Sequence, residues 1–194
     1  VSLKHCSHYS IDTLSMLKGI RTINLAKCEQ VNDEVLKAVA GVHTIDLDNC
    51  DKITDEGVSA LSGVYSIRLL GCKNITDVSL SCLSGVNSIY LGGCSLITDE
   101  GIKCLKGVKT IDLSKCDEIT DDGLTALCDA TSVYVSSCYK VSNEGVKCLK
   151  RVARLWVDGC PLVSDDGLRD LKYLSITSVS STGITDLFCD TLRS

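Results

Sequence analysis

The chain has 194 residues, a formal net charge of −5 and a pI near 5.2, which argues against the clustered basic surface that nucleic-acid binding needs. Apolar residues make up 44% and aromatics only 4%, so a core must be built from Leu, Ile, Val and Cys. No apolar run approaches the ~18–20 residues that span a bilayer, no secretory signal pattern is present, and no linker or composition shift divides the chain, so one domain over residues 1–194 is expected.

At the N-terminus, Val1 and Leu3 precede Cys6 with the spacing by which Ile23 and Leu25 precede Cys28. The sequence therefore enters inside a strand pattern, at Val rather than Met, and a longer native chain is expected. From there Cys6, Cys28, Cys50, Cys72, Cys94, Cys116, Cys138 and Cys160 follow at a constant step of 22 residues. A fixed period of this size marks a solenoid. The unit from Val42 to Gly63 reads VHTIDLDNCDKITDEGVSALSG, and those opening at Val64 and Val86 repeat it in register.

The first half of each unit reads V-x-x-I-x-L-x-x-C, as in Val42, Ile45, Leu47 and Cys50, or Val108, Ile111, Leu113 and Cys116. Ile45 and Leu47 alternate with Thr44, Asp46 and Asp48, a period of two that predicts a short strand with one face buried. The second half reads I-T-D-x-G-[V/I/L]-x-x-L. Thr54 and Asp55 supply helix-capping chemistry, Glu56 puts negative charge in the first turn, and Val58 and Leu61 share one face before Gly63 ends the segment. This leaves room for roughly two helical turns. Seven units keep the register. In the eighth, Leu174 to Thr182 holds the strand spacing only loosely, and residues 183–194 are expected to cap the stack with Leu187, Phe188 and Leu192.

The cysteine form of the strand motif, followed by I-T-D-x-G-[V/L]-x-x-L, resembles the cysteine-containing leucine-rich repeats of F-box-type proteins, over essentially the whole chain. The uniform 22-residue unit is shorter than the repeats usual in that family. The resemblance implies a curved α/β solenoid with a parallel sheet of eight or nine short strands on the concave face and short helices on the convex face. It also implies a non-catalytic scaffold that binds a protein or peptide through the concave face. Two narrower readings follow from it. One is the substrate-recognition part of an F-box ubiquitin-ligase receptor, with a ubiquitin-ligase adaptor among its partners, although F-box helices are absent from this sequence. The other is a host-targeting effector.

Thirteen cysteines suggest disulfides at first sight, but equivalent positions of stacked parallel strands lie ~4.8 Å apart with parallel side chains, and the Cβ atoms then stand farther apart than the ~3.8 Å a disulfide prefers. A straight row of thiols cannot surround zinc tetrahedrally either. The ladder reads as small buried hydrophobes in a reducing compartment, so an intracellular protein, cytoplasmic, nuclear or delivered into a host cell, is expected. Cys82, Cys104 and Cys148 interchange with Ala38, Ala60 and Ala126, which suggests a close-packed small-residue column, while Cys128 and Cys189 are expected to be exposed. His5, His8 and His43 have no evident partners. The column Asp33, Asp55, Asp77, Asp99, Asp121 and Asp165, with Asn143 in the same place, reads as helix capping rather than calcium binding. No nucleotide-binding, nucleophile-elbow or zinc-protease motif occurs, so neither enzyme activity, metal nor cofactor is expected.

Outward strand positions are free to differ between units, and they line the concave face of a solenoid. Between the buried Ile and Leu stand Asn24, Asp46, Arg68, Tyr90, Asp112, Tyr134 and Trp156. Two residues earlier the column is mostly Ser and Thr, ending in Arg154; two residues later it ends in Asp158. Trp, Tyr and Arg are enriched at interface hot spots, and small neighbours leave them prominent. The candidate partner-binding residues are Arg68, Tyr90, Asp112, Tyr134, Arg154, Trp156 and Asp158. The competing reading is that the aromatics merely tile the sheet by cross-strand pairing.

Overall fold

Each fully described unit builds one three-residue strand and one short helix. The computed structural model describes residues 1–4, 19–174 and 176–178. Its strands are β1 (Thr22–Asn24), β2 (Thr44–Asp46), β3 (Ser66–Arg68), β4 (Ser88–Tyr90), β5 (Thr110–Asp112), β6 (Ser132–Tyr134), β7 (Arg154–Trp156) and β8 (Ile176–Ser178). Its helices are α1 (Asp33–Ala38), α2 (Asp55–Ser59), α3 (Asp77–Cys82), α4 (Asp99–Lys103), α5 (Asp121–Thr125), α6 (Asn143–Lys147) and α7 (Asp165–Leu168). The eight strands form one parallel sheet in chain order, each residue lying beside its equivalent 22 positions on, as Ile45 beside Ile67 and Tyr134 beside Trp156. At the front, the backbone of Ser2 bridges to Asn24. Residues 183–194, His5, Cys6, His8 and Cys189 lie outside the described residues, so the expected cap does too.

The alternation in each strand explains the layer it belongs to. Ile45, Ile67, Ile89, Ile111, Val133 and Leu155 point inward and are fully buried, and so are Leu47, Leu69, Leu91, Leu113, Val135 and Val157 one step beyond. From the helix side, Val58, Leu80, Ile102, Leu124 and Val146 close the same continuous core. After each strand the chain reverses through one left-handed residue, Lys27, Asn49, Gly71, Gly93, Lys115, Ser137 or Gly159, with φ between 57° and 77°. Glycine adopts this conformation without steric cost.

The next residue is the ladder cysteine. Cys50 Sγ donates to the Leu25 carbonyl at 3.3 Å, Cys72 to Leu47 at 3.2 Å, Cys94 to Leu69 at 3.1 Å and Cys138 to Leu113 at 3.1 Å. Each thiol thus ties its unit to the preceding one. It is itself buried and satisfies a buried carbonyl. The described cysteines are all free thiols. Burial pushes Cys50 and Cys116 up to about 11 and Cys72 and Cys138 up to about 12, and raises Cys94 and Cys160 as well. Thiolate is the reactive form, so these groups are inert at neutral pH. Cys104 and Cys128 are exposed, and Cys82 and Cys148 are half-buried. The Cys/Ala column therefore lies half-buried on the convex side, with Cys104 exposed and Ala126 packed against the core. Iodoacetamide labelling with peptide mapping should modify Cys104 and Cys128 first. The ladder cysteines should label only as the protein unfolds.

The aspartate column does something other than cap its own helix. The cap is the preceding residue: Thr54, Thr76, Thr98, Thr120 and Ser142 each accept the N–H two positions on through their hydroxyl. The aspartate reaches forward one unit and holds the next cap. Asp99 Oδ1 accepts the Thr120 N–H at 2.9 Å and Oδ2 accepts the Thr120 hydroxyl at 2.6 Å. Asp33, Asp55, Asp77 and Asp121 repeat this pair of bonds on Thr54, Thr76, Thr98 and Ser142. Asn143 keeps the N–H bond and turns its amide to the Ser164 hydroxyl.

The glycine of I-T-D-x-G follows from this. A Cβ on Gly101, Gly123 or Gly145 would collide with the carboxylate of Asp77, Asp99 or Asp121. Where the glycine is replaced by Ser79, that side chain is fully buried and its hydroxyl donates to Asp55. Burial pushes the Asp55 carboxyl up, but the bonds from Ser79 and from the Thr76 hydroxyl and N–H outweigh it and hold the carboxyl below its ordinary value. The folded state then binds fewer protons than the unfolded one, so the contribution is complete above the unfolded pKa, near 3.9, and is lost as pH falls through the depressed folded value. Between pH 6 and pH 3 the denaturant midpoint should fall, and an Asp55→Asn variant should show a shallower fall.

Candidate interaction surface

The outward strand residues form one column across the sheet, and its two halves differ. At the N-terminal half the polar groups satisfy one another. Asn24 Nδ2 donates to Asp46 Oδ2 at 2.8 Å, and Asn24 Oδ1 and Asp46 Oδ1 accept the N–H groups of Ala26 and Asp48 at 3.0 and 3.1 Å. Asp48 takes the Leu70 N–H on one oxygen and the Arg68 guanidinium on the other, at 3.0 Å from Nε and 2.7 Å from Nη2. The guanidinium lies over the Tyr90 ring, 4.7 Å from its centroid. Arg68 is thus held by an internal ion pair and a ring.

The C-terminal half is open. Tyr134 and Trp156, neighbours in the β6–β7 register, stack with centroids 4.1 Å apart and planes 8° from parallel. Between the Arg68–Tyr90 pair and the Tyr134–Trp156 pair stands Asp112, whose Oδ1 accepts its own turn's Ser114 N–H at 2.9 Å. Among the described residues no hydrogen-bond partner meets Asp112 Oδ2, the hydroxyls of Tyr90 and Tyr134, or the Trp156 ring N–H. Burial, with Tyr90 nearby, raises the Tyr134 hydroxyl above its usual range, which keeps it a neutral donor. Arg154 and Asp158 flank this patch at opposite ends of β7. Arg154 is exposed, with Nε donating to the Ser132 hydroxyl at 3.0 Å; Asp158 is half-buried in the turn after the strand, its carbonyl accepting the Ser137 N–H at 2.7 Å.

Two features escape a reading of the outward columns. His43 and Tyr65, each one residue before a strand, stack at 4.7 Å on the flank of the sheet, so His43 has a partner after all. Their spacing of one repeat was the available signal. On the same flank Lys109, Asp129, Thr131, Arg151 and Tyr173 line a groove of about 420 Å³, in which Arg151 pairs with Asp129 at 3.2 Å. Among the described residues no three His, Cys, Asp or Glu side chains group to hold a metal ion, and no helix is long and apolar enough to cross a membrane.

The family model for the leucine-rich repeat matches residues 42–62 and 108–128, two of the units whose strand, turn and helix have just been described. These units are leucine-rich repeats. The chain folds as a leucine-rich-repeat solenoid, and it is similar to an internalin (inlF) from Listeria monocytogenes, with TM-score 0.76 and 16% identity over 96% of this chain and 56% of that one. Similar structures include TLR13 in complex with ssRNA13 (TM-score 0.67, 16% identity, 92% of this chain and 31% of that one) and internalin C2 of Listeria monocytogenes (0.65, 19%, 92% and 78%). The chain thus spans little more than half of the first and about a third of the second. At these identities the likeness is one of fold. No curated protein matches the chain in sequence. Leucine-rich-repeat solenoids commonly serve protein–protein interaction, through the extended concave surface that stacking creates.

Proposed function

We propose that this leucine-rich-repeat solenoid is a protein-binding scaffold that receives its partner on the concave face over β4 to β7. The observation that carries the reading is the division of that face. From β1 to β3 the polar groups are consumed internally, whereas the stacked Tyr90, Tyr134 and Trp156 and the Asp112 carboxylate carry polar atoms that have no hydrogen-bond partner among the described residues. Pre-stacked rings lose little conformational freedom on binding, which lowers the cost of association. Arg154 and Asp158 form the rim, and Arg68 serves chiefly to brace Tyr90. Cross-strand stacking therefore coexists with binding on this face. A net charge of −5 favours a protein over a nucleic acid as the partner. The inert thiol ladder suits a reducing compartment.

The test is affinity capture with mass spectrometry, comparing wild type with the Tyr90→Ala, Tyr134→Ala, Trp156→Ala triple variant. Side chains of this kind contribute ~2 kcal/mol or more each at interface centres, so the variant should lose captured partners by roughly 100-fold or more in affinity while its circular dichroism stays unchanged. Identical capture by both proteins would move the working surface elsewhere. Appearance of a ubiquitin-ligase adaptor among the lost partners would select the F-box-type reading.

A further inference from the structure

The column over β4 to β6 has a shape with a specific chemical consequence. Tyr90 has Arg68 lying over its ring, and the register sets Asp112 on its other side. Tyr134 has Trp156 stacked against one face, and Asp112 again lies on the other side. The two rings stand on either side of β5, on strands whose backbones lie two spacings or about 9–10 Å apart, and bound the space over Asp112 as a slot. Asp112 is the shorter side chain between them, so its carboxylate forms the floor. Alongside, Gly92 carries no side chain, and even a Cβ there would come within 3.4 Å of Asp112 Oδ1. Ser114 is small, and the slot opens on this side.

Resting on the reading of this face as the binding surface, we infer that the slot takes an arginine side chain presented by the protein partner. A flat cation inserted between the rings can face both of them while donating to Asp112 Oδ2, the oxygen left without a partner among the described residues. Guanidinium groups stack on aromatic faces and hydrogen-bond to carboxylates in one geometry, which an ammonium cannot match. An apolar or aromatic side chain would fill the same space but bury an unpaired carboxylate oxygen, and an acidic one would be repelled. The protein already contains the arrangement one step away: Arg68 lies 4.7 Å above the Tyr90 ring while bonded at 2.7 Å to the Asp48 carboxylate.

The experiment is to pan a random dodecapeptide display library on wild-type protein and on the aromatic triple variant, then to measure an enriched peptide in solution by the fluorescence of Trp156, the chain's single tryptophan. Asp112→Asn is the decisive variant. Asn24 occupies the equivalent position and makes the same bond to the N–H two residues on, so the substitution keeps the turn and removes only the charge. The expected result is enrichment of peptides with an arginine at a fixed position and a loss of roughly tenfold or more in affinity on Asp112→Asn or on replacing that arginine by its neutral isostere citrulline. Asp170→Asn, an equal charge change elsewhere, should have no such effect. Peptides that need Tyr134 and Trp156 but carry no fixed arginine, or bind Asp112→Asn unchanged, overturn this inference and leave the binding surface standing. No enrichment, or equal enrichment on the triple variant, counts against both.

Discussion

Replacing Gly123 by alanine is expected to destabilise the solenoid by about 2–3 kcal/mol, and adding Asp99→Ala to the same chain should recover much of that loss. The cost arises in the preceding unit. A Cβ at 123 would sit against Asp99 Oδ1 and 3.1 Å from its Cγ, so the carboxylate must leave the Thr120 N–H and hydroxyl that it binds. With Asp99 shortened to alanine, the nearest remaining atom in that set is the Asp99 Cα at 3.5 Å, an ordinary contact. Asp99→Ala alone removes two hydrogen bonds to a helix cap and should cost about 1–2 kcal/mol. The double variant is then more stable than the sum of the singles, and urea unfolding of all four proteins measures the coupling. The sequence tolerates a side chain at this position where it can bond the carboxylate instead of displacing it: Ser79 stands in place of the glycine and its hydroxyl donates to Asp55. Simple additivity would show that the carboxylate and the glycine do not share one space.

Leu113→Ala in the middle of the stack should cost about 3 kcal/mol, since the side chain is fully buried and the neighbouring units cannot close around the void. In a solenoid each unit contacts only its neighbours, so the damage is local. Native-state hydrogen exchange should show protection falling for the amides of β4, β5 and β6 and of Leu91, Leu113 and Val135 just after them, whose N–H groups bond to the next strand. The amides of Leu25 and Leu47 should keep theirs. A uniform loss along the whole chain would mean that the stack unfolds as one unit.

Much of this architecture can be read directly from the 22-residue period. Ile45 and Leu47 alternate with polar residues, and the structure buries them on one face of a parallel sheet in the register that the period implies. The structural role of the described ladder cysteines was legible because equivalent thiols in a straight row cannot converge on a point. The aspartates were harder. Asp55 follows a threonine at a helix start and reads like part of that helix's cap, but its partners Thr76 and Ser79 lie in the next turn of the solenoid. Local patterns carry no information about contacts one repeat away. The same limit applies to the candidate surface. The column position of Arg68, Tyr90, Tyr134 and Trp156 followed from the strand period. Only the side-chain geometry separates Arg68, tied to Asp48, from the open groups around Asp112.

Site-specific photocrosslinking decides whether a partner sits on the concave face over β4 to β7. A benzophenone amino acid placed at Ser136, beside the aromatic column without replacing any of it, is compared with the same group at Lys103 or Lys147 on the convex helices. Covalent adducts with the captured partner are expected from position 136 and none from 103 and 147. Adducts confined to the convex positions would put the partner on the helices instead.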